Sequence, residues 1–236
     1  MRLFVGTSGF SYKPWKGKFY PEDLPASEWL AYYAARFPTV EINNTFYRVP
    51  KPEILEGWAK QVPAEFRFGL KATRRITHIK RLKNVEEETA FFLRAASALG
   101  DRLGVVLFQL PPNLKKDLDR LRTFLDLLPG SGRYALEFRE PSWLDDEVFT
   151  ELRARGCALV VSDTDENPLD EIVSTAPFGY LRLRRTDYDD DSLGKWRARI
   201  DRQNWEQAWI FFKHEDEGLG PKFALRLLEI SPSKPS

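Results

Sequence analysis

Eight short segments of strand character, separated by stretches of helical spacing, constrain this 236-residue chain more than any other feature. Strands are predicted from Leu3 to Thr7, Val40 to Thr45, Phe66 to Ala72, Val105 to Leu110, Tyr134 to Phe138, Ala158 to Ser162, Tyr180 to Leu183 and Trp209 to Lys213. Between most of them apolar residues recur at helical intervals, as in Trp29, Leu30, Tyr33, Ala34 and Phe37, or Phe92, Leu93, Ala96 and Leu99. Such alternation implies parallel strands joined by right-handed crossovers, and eight strands is the number that closes a barrel. The expected fold is therefore α/β, a single TIM-type (β/α)8 barrel over residues 1–230, with a flexible C-terminal tail over 231–236. A doubly wound open sheet would need a nucleotide-type crevice signature, which the chain lacks. Pro38, Pro63, Pro129 and Gly156 stand between a helical stretch and the next strand, where chains turn. The sixth unit is thin, because Asn167 to Ala176 has room for only one or two helical turns before Pro177.

Charged residues sit inside these strands at the parity opposite the apolar ones. Side chains alternate across a strand, so if Ile42, Leu70, Leu136, Phe138, Leu181 and Leu183 face the helices, then Glu41, Lys71, Glu137, Arg139, Arg182 and Arg184 face the barrel interior. Ionised groups are costly to bury unless paired or serving a ligand. Their convergence points to a site.

Composition limits what that site serves. A hydrophobic share of 42% supplies a full core, and a net charge of +1 provides no bulk field toward nucleic acid or membrane. Cys157 is the lone cysteine, which excludes an internal disulfide and a cysteine-based zinc site. Met1 leads directly into the first strand, and no stretch approaches the roughly 18 apolar residues of a membrane span. The reading is a cytoplasmic protein with no membrane partner.

Several motifs carry a resemblance. They are Gly6-Thr7-Ser8-Gly9-Phe10-Ser11-Tyr12 with Trp15 and Phe19-Tyr20-Pro21, Val40-Glu41-Ile42-Asn43-Asn44-Thr45-Phe46-Tyr47-Arg48, Lys71, Thr77-His78, Gln109-Leu110-Pro111-Pro112, Glu137-Phe138-Arg139 and Ser142-Trp143. Over nearly its whole length the chain resembles the DUF72, or YecE-like, family. The resemblance implies a TIM-type barrel and assigns no reaction, since the family is one of unknown function. Relatives commonly carry Arg-Leu-His-Gly on the seventh strand and Asn-Asn-Asp after the eighth. Here the corresponding stretches read Arg182-Leu183-Arg184-Arg185 and Lys213-His214-Glu215-Asp216.

Functional groups of such barrels lie at the carboxyl ends of the strands. The candidate catalytic residues are Glu41, Glu137, Asp163, Lys71 and His78, and the candidate substrate-binding residues are Ser8, Asn43, Thr73, Gln109, Arg139, Trp143, Arg182, Arg184 and His214. Cations outnumber acids among the strand positions, which favours a small anionic ligand, phosphorylated or carboxylated, held by an arginine clamp. Two carboxylates in different surroundings could serve as general base and general acid, giving a hydrolase, lyase or isomerase. Lys71 could instead form a Schiff base. The competing reading makes Glu41 or Glu137 a purely structural partner of an arginine. A non-catalytic module binding an anionic metabolite is a further alternative.

The sequence requires no cofactor. One divalent ion is compatible with Glu41, Glu137, Asp163, His214, Glu215 and Asp216, while two histidines are too few for a multi-zinc site. Asp189-Asp190-Asp191 lacks the glycine turn and distal glutamate of a calcium loop and reads as a solvated loop. Gly218 and Gly220 ahead of Phe223 to Leu228, and Gly6 to Gly9, are loops where backbone N–H groups could meet an anion. Arg74, Arg75, Lys80, Arg81 and Lys83, with Trp15, Phe19, Tyr20, Phe46, Tyr47 and Trp143 on the same face, leave nucleic-acid binding or nuclease activity as an alternative. If instead the aromatic residues roof the barrel, the basic residues are merely solvated.

Overall fold

The computed structural model describes residues 1–166 and 171–230. Eight strands, β1 (Arg2–Thr7), β2 (Thr39–Ile42), β3 (Arg67–Lys71), β4 (Leu103–Gln109), β5 (Tyr134–Glu137), β6 (Ala158–Asp163), β7 (Phe178–Leu183) and β8 (Gln207–Phe212), form one sheet. Neighbours pair in parallel from β2 through β8 and on to β1. The ring closes where Ser8 bridges Glu41 in parallel and the Gly9 N–H donates to the Glu41 carbonyl at 2.8 Å. A single (β/α)8 barrel of the TIM type results, as the alternation predicts.

Helices α1 (Trp29–Ala34), α2 (Pro52–Lys60), α3 (Glu86–Ala96), α4 (Leu118–Leu125), α5 (Asp146–Ala154), α6 (Asp190–Asp201) and α7 (Leu219–Glu229) cover the strands. Their starts are written locally. Asp117 and Asp145 accept from the backbone N–H of Arg120 and Glu147, giving α4 and α5 the side-chain acceptor their unpaired first-turn donors need. The helices then bury Leu121, Phe124 and Leu125, and Val148 and Leu152.

Parity divides the barrel into two cores. Outward-facing Val5, Ile42, Leu70, Leu136, Leu181 and Leu183 pack with the helices. Inward-facing Phe4, Val105, Leu107, Tyr180, Trp209 and Phe211 fill the barrel. Phe4 and Trp209 stack at 4.1 Å between centroids near the amino-terminal ends of the strands. Toward the carboxyl ends the inner face turns polar. Ser8 stands beside Glu41, Gln109 beside Glu137 and Ser162 beside Arg182.

Two local readings change, and a third falls partly outside the described residues. β2 ends at Ile42, and Asn44–Phe46 form a 3-10 turn, because Thr45 Oγ donates to the carbonyls of Ile42 at 3.1 Å and Lys71 at 2.6 Å. The Asp189 to Asp191 run opens α6 instead of forming a loop: Asp189 caps the Ser192 N–H, Asp190 pairs with Arg226 and Asp191 with Lys195. Acids suit a helix start because its free N–H groups carry partial positive charge. In the sixth crossover, residues 171–176 form no helix, while Asn167 to Asp170 lie outside the described residues, as does the tail over 231–236. Among the described residues no helix is long and apolar enough to cross a membrane.

Candidate functional site

Arg182 is the centre of the polar end. It is 2% exposed, and its Nη1 donates to Glu137 Oε2 at 2.6 Å while its Nη2 donates to Glu41 Oε1 at 3.0 Å. Glu41 also accepts from Ser8 Oγ at 2.7 Å, Asn43 Nδ2 at 3.1 Å and the Tyr180 hydroxyl at 2.5 Å. Glu137 accepts from Arg139 Nε at 3.0 Å, with Arg184 Nη2 at 3.5 Å. Arg184 also donates to Ser162 Oγ. Strands β2, β5 and β7, with Ser8 just past the end of β1, thus meet through two carboxylates.

Gln109 receives what the acids do not. Its Oε1 accepts from Lys71 Nζ at 2.9 Å, Arg182 Nη1 at 3.2 Å and Arg139 Nη2 at 3.3 Å. Three cationic heads converge on one neutral oxygen. The buried Nε–H groups of Arg182 and Arg184 find no acceptor among the described residues.

The proton affinities follow from this geometry. Burial by itself raises a carboxyl pKa, but at Glu41 the Arg182 charge and the Tyr180 and Ser8 hydrogen bonds outweigh it, leaving the pKa lowered. At Glu137 burial is overcome by Arg182, Arg139 and Arg184, and the pKa falls to about 2. Both acids are held ionised. Lys71 moves the other way: burial and then the Arg182 charge lower its pKa to about 8, beyond what Glu41 and Glu137 restore. Tyr180 is raised well above its ordinary value by burial and by Glu41, so its hydroxyl remains a donor.

Of the residues predicted for the site, Ser8, Glu41, Asn43, Lys71, Gln109, Glu137, Arg139, Arg182 and Arg184 come together. His78 flanks them, its ring edge-on to Phe46 at 4.8 Å, and Phe46 in turn lies under Lys71 Nζ at 4.2 Å. Burial lowers the His78 pKa, and the charges of Lys71 and Arg139 lower it further. Thr73 sits on the same loop with its Oγ toward the Phe46 carbonyl at 3.4 Å.

Asp163, Trp143 and His214 are placed elsewhere. Asp163 has the outward parity of Val161 and accepts from Arg185 Nε at 2.9 Å, the Tyr188 hydroxyl at 2.9 Å and Trp196 Nε1 at 3.1 Å. It therefore ties β6 to α6. Trp143 is fully buried, stacked on Phe138 and donating Nε1 to the Leu114 carbonyl at 2.6 Å. His214 packs edge-on to Phe223 of α7, its Nε2 2.5 Å from the Arg185 carbonyl oxygen. It nevertheless lines, with Arg184, Arg185 and Lys213, a cavity of about 660 Å³ beside the cluster. That cavity also carries Asp165, Glu166, Glu215 and Asp216, so the positive excess belongs to the inner cluster.

Two inner residues escape a search for charges. Tyr180 lies two residues before Arg182 on the same face of β7, a relation the strand period itself reveals. Ser162 is masked because Ala158-Leu159-Val160-Val161 is apolar at both parities, which made the adjacent Asp163 the more conspicuous choice.

The basic loop after β3 is a π-helical turn over Arg75–Ile79, and Glu88 of α3 pairs with Arg75 and Lys80 at 2.9 Å each. Of the loop aromatics, Trp15, Tyr20 and Trp143 are buried and only Tyr47 is largely exposed. Among the described residues no three His, Cys, Asp or Glu side chains are grouped to hold a metal ion.

Comparison with known proteins agrees with this architecture. The chain is 34% identical over 141 residues to the UPF0759 protein YecE of Escherichia coli K12, covering 57% of the chain and 52% of YecE, so it spans about half of that relative. It is 28% identical over 237 residues to the UPF0759 protein YunF of Bacillus subtilis, covering 92% of the chain and 80% of YunF. The crystal structure of a DUF72 family protein from Thermotoga maritima superposes with a TM-score of 0.86 at 28% identity, covering 97% of this chain and 98% of that one. One from Enterococcus faecalis, at 19% identity and a TM-score of 0.79 over 99% and 98% of the two chains, shares the fold. Residues 4–235 match the family described as protein of unknown function DUF72, and the chain belongs to that family.

Proposed function

We propose that the barrel mouth binds a small carboxylated or phosphorylated compound and that the protein is an enzyme acting on it. The observation that carries this reading is Gln109 Oε1, a neutral atom accepting from Lys71, Arg139 and Arg182 together. Arg139, Arg182, Arg184 and Lys71 face only two carboxylates in the cluster, so an anion entering there completes an unbalanced set of charges. Arg139 and Arg184, less buried than Arg182, form the clamp. Glu41 and Glu137 hold the guanidinium groups in place. Lys71, with a pKa of about 8, is the group that can gain and lose a proton near neutrality and is assigned the acid/base role.

Gln109→Glu tests the reading, because it supplies the missing negative charge with little change of shape. Calorimetric titration with a panel of small phosphates and carboxylates should show binding to the parent protein and a loss of at least about tenfold in the variant, or roughly 1.4 kcal/mol. Equal affinity in both proteins would remove the proposal. Binding without turnover across the panel would retain the anion site and reassign it to sensing.

A further inference from the structure

The opposite end of the barrel carries a second concentration of charge that the mouth does not use. Arg2, Arg67, Arg102 and Arg133 stand at or just before the amino-terminal ends of β1, β3, β4 and β5, and together line a cavity of about 470 Å³. Asp101 is the one acid lining it. Among the described residues none of the four guanidinium groups forms an ion pair within 4 Å, in a protein where surface arginines such as Arg122 and Arg226 each find carboxylates. Arg67 donates only to the carbonyls of Ala64 and Phe66, at 2.8 and 2.9 Å.

The lining also contains polar atoms without partners. Arg102 Nε, Trp209 Nε1 and Gln207 Oε1 are buried and unbonded among the described residues. The floor is rigid: Phe4 and Trp209 stack in parallel, Arg2 lies over Phe4 at 4.6 Å, and a side chain at Gly104 would collide with the Trp209 indole. Burial and then the neighbouring Arg2 and Arg102 charges lower the pKa of Arg67, so this cluster repels itself when empty. The amino-terminal face of such barrels ordinarily serves stability, and four unpaired like charges with buried orphan donors do the opposite.

We infer that this pole is a second binding site, distinct from the mouth, for a multiply charged phosphate-chain anion such as pyrophosphate. Guanidinium groups bind phosphate oxygens through paired N–H donors, and four of them match several charges better than one. The phosphate chain can be free or part of a nucleotide. Because Phe4 and Trp209 are buried, no base can stack on them, and ADP should bind about as well as pyrophosphate.

The test measures thermal unfolding and calorimetric titration with pyrophosphate and with ADP at near-physiological salt. Three proteins are compared: the parent, the pole variant Arg102→Met/Arg133→Met, and the mouth variant Gln109→Glu. The parent and mouth variant should both gain melting temperature with pyrophosphate, while the pole variant should lose at least about tenfold in affinity and most of that gain. Without ligand, the pole variant should melt no lower than the parent, since only repulsion is relieved. Should it fail to fold, Arg133→Met alone, at an exposed position, gives the same reading. No gain in the parent, undiminished binding in the pole variant, or loss confined to Gln109→Glu would each overturn the inference. Binding of ADP but not pyrophosphate would overturn it too.

Discussion

Lys71 is where the chemistry of individual residues is most open to test. Its amine lies between a neutral amide oxygen and the face of Phe46, and burial, then the Arg182 charge, lowers its pKa to about 8. An anion prefers the charged amine. Above pH 8 the free protein must take up a proton to bind, so affinity should decline as pH rises through about 8 and be level below it. Titration of a bound small anion between pH 6 and pH 10 checks this, and Lys71→Met should flatten the profile. A parent profile already flat would show that the amine does not contact the ligand. The charged residues of the cluster were legible from strand parity, since alternation alone separates Glu137 and Arg139 from Leu136 and Phe138. Asp163 was not, because β6 is apolar on both faces and its end residue gives no clue to direction.

At the scale of elements, the strands of this chain are recognisable from apolar runs and the helices from capping acids followed by spaced apolar residues. The cap of α4 gives a direct check. Asp117 accepts from the Arg120 N–H at 3.0 Å, and Asp117→Ala should cost about 1 kcal/mol in denaturant unfolding with no effect on anion binding at either end of the barrel. A loss of binding in that variant would mean the outer helices couple to the site. The elements that sequence reasoning misplaced are those ruled by distant partners. The loop after β2 turns early because Thr45 reaches the Lys71 carbonyl across to β3. The basic loop after β3 lies where the sequence places it, and what the sequence leaves open there is its pairing with Glu88 of the following helix α3. The Asp189 to Asp191 run becomes a helix start when Arg226 of α7 takes one of its acids.

For the molecule as a whole, Arg182 is both a site residue and a structural tie, joining β7 to β2 and β5 through Glu41 and Glu137. Arg182→Met should destabilise the protein by roughly 3–5 kcal/mol, because buried Glu41 loses its arginine and buried Glu137 loses one of its three. The pH dependence contributed by Glu41 should change sign. In the parent, Glu137 is lowered to about 2 from an ordinary 4.5, so its contribution is complete above 4.5 and is lost as pH falls toward 2. In the variant Glu41 loses its arginine and burial raises its pKa, while Glu137 keeps Arg139 and Arg184, so the Glu41 contribution should fall as pH rises through its raised value. Chemical denaturation between pH 3 and pH 8 distinguishes the two signs, and a variant with the parent's slope would show the pairing to be of little consequence. The alternation of eight strands with helices and the parity of charges along each strand are local properties, and the sequence by itself determined them: a closed parallel barrel with ionised groups toward one end of its interior. Which charge meets which was decided only by closure of the ring. Closure brought Glu41 within reach of Arg182, 141 positions away, set Gln109 under three cations, and gathered four arginines at the other pole. Coulombic and hydrogen-bond energies depend on separations in space, and a chain's local pattern carries no record of them.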